Sequence, residues 1–258
     1  MWQEKRKVFK SNPPWQSMNS LMKSMSIVAL CFFSLCVGQT PQYNVQPLNL
    51  EVGAGHTFDI LDNGVYVGYN HYSVTKEELY NGVDAFFIES ETDIKSEEVT
   101  LHIEAMYIVD TSGRCLHYEF EGTFDGQSHT LTADFSEASV HVTASRPNAN
   151  YDKTIELARN TLCVDNNMIG QWDLMVSAVP LAPGGTFAAN VFAPQAMEKV
   201  AVRASVGEIS SLLEAAGEEW PCYTLTFSAP EGYVAYVTQE GQLVKLETPS
   251  GLVIILKE

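Results

Sequence analysis

The chain is poor in positive charge: 15 Lys and Arg stand against 32 Asp and Glu, a formal net charge of −17 over 258 residues. That balance repels phosphate backbones and anionic head groups, which argues against nucleic-acid binding and electrostatic docking on a lipid surface. Cysteine is scarce too. Of five, only Cys115, Cys163 and Cys222 lie beyond the N-terminal region, and an odd count is not a disulfide framework. One bridge, such as Cys163 to Cys222, is not legible from spacing, and a buried free thiol is expected for at least one of the three. Catalytic signatures are missing as well. There is no Gly-x-Ser-x-Gly elbow, no His-Glu-x-x-His helix and no Gly-x-x-x-x-Gly-Lys phosphate loop. Gly53-x-Gly55 opens no β-α unit and reads as a bend.

No apolar run is long enough to span a bilayer. The longest, residues 27–38 (IVALCFFSLCVG), falls short of the roughly 20 residues required. Lys5, Arg6, Lys7, Lys10 and Lys23 precede it, and a basic region before a short apolar stretch and small residues is a secretory signal pattern. Residues 1–38 are therefore expected to be a signal peptide with an over-long leader. Cleavage after Gly38 places Cys36 at −3, and Met18, Met22 and Met25 offer alternative starts. Lipidation is disfavoured because Leu precedes both Cys31 and Cys36. The segment holds five basic residues and one acidic residue, which leaves residues 39–258 with 10 basic and 31 acidic, a formal charge of −21. About 220 residues suit one substantial core, in a protein exported to the periplasm or the extracellular space.

What is present is alternation. Phe58-Asp59-Ile60-Leu61 and Val65-Tyr66-Val67-Gly68-Tyr69 flank Asp62-Asn63-Gly64, and an Asn-Gly between apolar runs is a strong hairpin signal. Further strands are expected at 83–94, 98–109, 114–121, 128–133 and 138–143, with turns at 110–113 and 124–127. Pairing Val109 with Arg114 sets Glu104 opposite Glu119 and Tyr107 opposite Leu116. One face then carries Ile103, Ala105, Tyr107, Leu116, Tyr118 and Phe120. The other carries His102, Glu104, Met106, His117, Glu119 and Glu121, as a half-buried antiparallel sheet requires.

A break is expected around 145–152, marking either two β halves or one sheet wrapped round a helix. That helix is predicted over 166–179, capped by Asn166 or Asn167 and ended by Pro180. Met168, Ile169, Trp172, Met175, Val176 and Val179 recur at helical spacing. Strands resume at 186–192 and 199–206, and 208–217 reads as a short helix or a polar excursion. Four more strands follow at 222–228, 232–238, 242–247 and 252–256. The expected fold class is mostly β: a curved antiparallel sheet of about twelve strands, a half-barrel or open barrel, wrapping one central helix.

Candidate chemistry is thin. His102 and His117 share a face with Glu119, and imidazole with carboxylate is a donor set for a divalent cation. The plainer reading is a solvated outer face, so no metal, cofactor or catalytic residue is assigned. Cys163 sits between Leu162 and Val164 without a nearby His, which favours packing over nucleophilic chemistry. Trp172 and Trp220 with Tyr66, Tyr69 and Tyr72 either line an apolar cavity or form ordinary core.

The opening 61–69 stretch, the close Val237-Thr238-Gln239-Glu240-Gly241-Gln242-Leu243-Val244-Lys245-Leu246 and the pre-helix Val164-Asp165-Asn166-Asn167 together give a layout similar to periplasmic half-barrel proteins. These are the lipoprotein-carrier (LolA/LppX-like) group and exported relatives of unknown function. The resemblance implies a curved sheet around a helix, with an apolar concave face that holds an acyl chain or other lipid, and no catalytic residues. The leading expectation is thus an exported, non-enzymatic binding module for a lipid or other hydrophobic ligand, with Tyr107, Tyr118, Met168, Trp172 and Met175 lining the cavity. The second is a structural or protein-interaction β domain, related to accessory domains of exported hydrolases, with another exported protein as partner. A metal-dependent hydrolase using His102, His117 and Glu119 comes third.

Overall fold

A computed structural model describes residues 46–97, 99–165 and 167–257 of the chain; the expected signal segment and the candidate cap Asn166 lie outside them. Eight strands come first: β1 (Gly55–Asp62), β2 (Val65–Tyr80), β3 (Val83–Lys95), β4 (Thr100–Asp110), β5 (Cys115–Phe124), β6 (Gln127–Phe135), β7 (Ser139–Arg146) and β8 (Ala149–Glu156). Then come β9 (Leu162–Cys163) and the helix α1 (Ile169–Ser177), followed by β10 (Thr186–Ala193), β11 (Glu198–Ala215), β12 (Glu218–Ala229), β13 (Glu231–Val237), β14 (Leu243–Glu247) and β15 (Leu252–Leu256). All fifteen strands belong to one sheet, in the order β8-β7-β6-β5-β4-β3-β2-β1-β15-β14-β13-β12-β11-β10-β9. Two meanders are joined where β1 pairs with β15, and every pairing is antiparallel except that of β9 with β10.

The expected curved sheet around one helix is present, with more strands than the anticipated dozen. The two that pattern missed are the sheet's edges. β8 (ANYDKTIE) is exposed or half-exposed throughout and so carries no clear alternation, and β9 is two residues long. The anticipated break at 145–152 is a hairpin: Arg146 pairs with Ala149 across Pro147-Asn148. Pro fixes φ for the first turn position, and Asn tolerates the second. Residues 208–215 are neither helix nor excursion, because β11 continues through them with irregularities next to Ile209. The two ends of the sheet approach each other through side chains. Arg146 Nη2 donates to the Gln195 carbonyl at 2.6 Å, and Phe135 meets Phe192 edge-on at 6.1 Å.

The first hairpin forms as its sequence demands. Asp62 pairs with Val65, and Asn63 (φ 49°) and Gly64 (φ 81°) fill a two-residue turn in the left-handed region. Such turns match the right-handed twist of the flanking strands, and only Gly enters that region without a Cβ penalty. Gly64→Ala is expected to lower stability by about 1 kcal/mol. Urea denaturation reads this as a lower midpoint with an unchanged slope; an unchanged midpoint would mean the turn relaxes to another type.

On β4 and β5 the face assignment held although the register did not. Tyr107 pairs with Tyr118 and Glu104 with Glu121, two residues from the expected pairing. A two-residue slip preserves side-chain parity, so Ile103, Ala105, Tyr107, Tyr118 and Phe120 still share the buried inner face. Leu116 is the exception. A bulge at Ile108/Val109 leaves it as the extra residue, Val109 pairs with Cys115, and Cys115 takes the inner position. Leu116 instead joins Ala85, Phe87 and Ile108 in a small cluster separate from the main core.

Candidate functional site

α1 occupies the inner face of the sheet. Its residues from Ile169 to Val176 are all buried, including Gln171 and Asp173. It is shorter than the predicted 166–179, and its first residue follows Met168, which offers no side-chain cap. The expected local capping is replaced by the sheet. The Gly170 N–H donates to Asn70 Oδ1 at 3.2 Å, and Thr92 Oγ1 donates to the Asn167 carbonyl at 2.8 Å. Asn70 Nδ2 in turn donates to Ser90 Oγ, Thr92 Oγ1 and the Glu91 carbonyl, which makes a buried polar seat under the helix start. At the other end, Gln46 donates through its backbone N–H to the Ala178 carbonyl and through Nε2 to the Ser177 carbonyl, both at 3.0 Å. Orphan groups at both helix ends are thus satisfied from outside the helix.

Two carboxylates anchor the helix and its approach. Asp173 Oδ2 accepts from the Tyr72 hydroxyl at 2.7 Å and meets His56 Nδ1 at 2.8 Å, while Oδ1 accepts the Leu243 N–H at 2.8 Å. Gln242 Nε2 lies 3.2 Å from His56 Nε2. A proton on Nδ1 of His56 satisfies the whole set, with Nε2 accepting from Gln242. Burial, and then the neighbouring Asp173, push the Tyr72 hydroxyl well above the usual tyrosine range, so it stays a donor. The second carboxylate, Asp165, lies in the approach to α1. It accepts the Gln195 N–H at 3.1 Å, and its own N–H donates to Gln171 Oε1 at 2.7 Å. Burial raises its carboxyl from 3.8 to about 7, against the opposing pull of the Gln195 N–H, the Tyr118 hydroxyl and Arg146.

The five residues expected to line a cavity lie in the interior. Met168, Trp172 and Met175 come from α1 and its approach, and Tyr107 and Tyr118 from the sheet; all five are buried. Trp172 stacks on Tyr233 with ring centroids 5.0 Å apart and meets Phe227 edge-on. Of the five, Tyr107 and Met175 border a small void of about 20 Å³, also lined by Cys115, Cys163 and Gln171. Tyr107 borders this void, and its hydroxyl has no hydrogen-bond partner among the described residues. Such a volume holds one water. Of the other aromatic candidates, Tyr72 is inside, Tyr66 is exposed and Tyr69 donates to Glu91 at 2.6 Å. Trp220 belongs to the β11–β12 hairpin, where its Nε1 donates to the Ala215 carbonyl.

Two larger concavities lie elsewhere. A cleft of about 310 Å³ opens beside His56, Tyr72 and Asp173 and is walled by Leu50, Val74 and Gln242. The second is a groove of about 780 Å³ on the opposite face of β2–β6, where Glu89, Glu91, Glu104, Glu119 and Glu121 gather. Glu91, Glu104 and Glu121 stand in one cross-strand row. Like charges directly opposite destabilise a sheet, so Glu104→Gln is expected to raise stability by about 0.5 kcal/mol, a gain that fades as salt rises. Parallel melts at low and high ionic strength test this, and a salt-independent difference would show that charge is not the cause.

Of the weak metal candidates, His117 Nε2 and Glu119 lie 3.6 Å apart, but His102 does not join them. His102 pairs with Thr123, six residues along β5 from His117, which sets them about 20 Å apart. His117 Nδ1 meets Asp134 at 2.7 Å, and His102 lies beside Asp93 and Glu104. Among the described residues, no group of three or more His, Cys, Asp or Glu is placed to hold a metal ion.

No protein-family model and no curated protein matches the chain. Two solved structures are similar to it. One is a β-barrel-like protein of the domain of unknown function DUF1849 from Brucella abortus, with 11% identity over 81% of this chain and 97% of that one, and a TM-score of 0.48. The other is a DUF1089 family protein from Pseudomonas aeruginosa, with 10% identity over 80% and 95% and a TM-score of 0.39.

Sequence reasoning missed the polar fasteners. A signal for them exists: on β3 the inward positions run Phe86, Ile88, Ser90, Thr92 and Ile94, so Ser90 and Thr92 interrupt an apolar series at the buried parity. On β2, Asn70 does the same between Gly68 and Tyr72. A polar residue at an inward position needs a partner, and here the partner is the helix.

Proposed function

We propose that the protein is an exported, non-enzymatic binding module for a lipid or other hydrophobic ligand, in which α1 occupies the binding face until the ligand displaces it. One observation carries this reading. The inner face is covered by a nine-residue apolar helix that a few discrete polar contacts hold in place. Displacing it would present Tyr107, Tyr118 and the surrounding apolar side chains, with the polar patch of Asn70, Ser90 and Thr92 among them. Burial of a ligand there supplies about 25 cal/mol per Å². Pro180, Pro183 and Gly184-Gly185 follow the helix and suit a hinge. Export rests on the signal-like pattern at 27–38, and the kinship with lipoprotein carriers on layout.

The closed interior favours a second reading, a structural or protein-interaction domain. Leu212, 68% exposed on the β11–β12 hairpin, is the sort of residue a partner would cover.

Native mass spectrometry of the protein recovered from a periplasmic expression host separates the two. The binding reading expects a lipid-sized adduct that is lost on denaturation. An adduct-free mass that persists after incubation with phospholipid vesicles would end it and leave the interaction domain.

A further inference from the structure

Topology brings together two thiols that the sequence keeps far apart. Cys115 opens β5, and Cys163 closes β9 at the edge of the sheet. The two line the same void beside Tyr107; there the Cys115 thiol donates to the His117 carbonyl at 3.2 Å and Cys163 Sγ accepts from Gln171 Nε2 at 3.8 Å. Leu162, next to Cys163, also packs toward Gly113 in the turn before β5. Both cysteines are free, as is Cys222 on β12, which does not line this void and whose thiol donates to the Trp220 carbonyl. The pairing left open between Cys163 and Cys222 is therefore not the one the fold favours.

We infer that Cys115 and Cys163 are a bridging pair, which in an oxidising compartment closes a disulfide tying the approach to α1 to the start of β5. The step is a two-electron oxidation. Each thiol loses its proton, one sulfur–sulfur bond forms, and a disulfide oxidant such as oxidised glutathione is reduced to two thiols. The inference stands independently of whether the inner face binds a lipid. Its consequence is mechanical. The edge strand β9 holds only the short parallel pairing with β10, and the bridge would anchor it across the barrel.

Burial also dictates when the bridge forms. Exchange proceeds through a thiolate that can be reached, and burial, followed by the Cys115 contact, holds the Cys163 thiol well above the usual range. The bridge is thus expected to close during folding, before α1 seals the void, and to resist reductant afterwards until the protein is unfolded.

The test uses the full chain, made in a reducing cytosol, unfolded, and refolded in a glutathione redox buffer. Remaining thiols are then alkylated and the peptides mapped. The expected result is a Cys115–Cys163 link with Cys222 alkylated, a thermal midpoint above that of the reduced protein, and loss of that rise in Cys163→Ser but not in Cys222→Ser. Recovery of Cys115 and Cys163 as alkylated peptides, or bridged to other cysteines, would overturn the inference.

Discussion

Asp173→Ala is expected to cost on the order of 4 kcal/mol of stability, the largest loss for any single polar side chain here. The carboxylate is 3% exposed and receives donors from three separate elements: Tyr72 on β2, His56 on β1 and the Leu243 N–H on β14. Truncation leaves the buried Tyr72 hydroxyl and Leu243 N–H without their acceptor, while the partly exposed His56 keeps access to the cleft; a buried donor without a partner loses its hydration with nothing in return. Asp173→Asn sharpens the expectation. It keeps one acceptor oxygen but presents an amide to the remaining donors, so its loss falls between wild type and alanine. Urea titrations followed by Trp fluorescence give both numbers. A loss under about 1 kcal/mol in Asp173→Ala would show that α1 is held by apolar packing alone. A stronger consequence follows if the helix is a displaceable plug. Asp173→Ala would then take up hydrophobic ligand more readily than wild type, despite being less stable.

The second large effect is a pH dependence centred on Asp165. Its carboxyl rises from 3.8 when exposed to about 7 in the fold, chiefly because it is buried. Between those values the native protein holds a proton that the unfolded chain has released. Stability contributed by this group therefore falls as pH rises from about 4 to about 7, and is level above that. The span corresponds to a few kcal/mol, at ~1.4 kcal/mol per pKa unit. Asp165→Asn keeps an oxygen to accept the Gln195 N–H and removes the titration. The variant is expected to be more stable than wild type at pH 8, by a few kcal/mol, to keep about a third of that advantage at pH 5, and to lose it by about pH 4. Comparing the two proteins cancels the general acidic repulsion both carry. Parallel stability profiles across this range would show that Asp165 does not titrate in the fold as described.

These two residues mark the boundary between what could be read early and what could not. The period-two alternation of β3, β4 and β5 places side chains on faces without knowledge of partners. That is why the buried set on β4 and β5 survived a register two residues off: parity is a local property. The Asn63-Gly64 hairpin was legible for the same reason, since its signal and its cause lie in adjacent residues. So was the helix, whose apolar spacing is local, although its ends were not. Its N–H and carbonyl partners, Asn70 and Gln46, lie about 100 and 130 positions away in the chain.

Everything decided by long-range pairing stayed hidden. Leu116 changed faces because a bulge near Val109 inserted one residue, and a bulge is set by how two strands settle on the core. The histidine pair did not converge because true neighbours across strands come from register. The inner face is alternating apolar sequence, and by itself it determined that something apolar would cover it. Only the tertiary structure decided that the cover is the chain's own helix, pinned by Asp165 and Asp173. A carboxylate in a sequence looks the same whether it will be solvated or enclosed; which occurs depends on donors that folding alone brings within hydrogen-bonding reach.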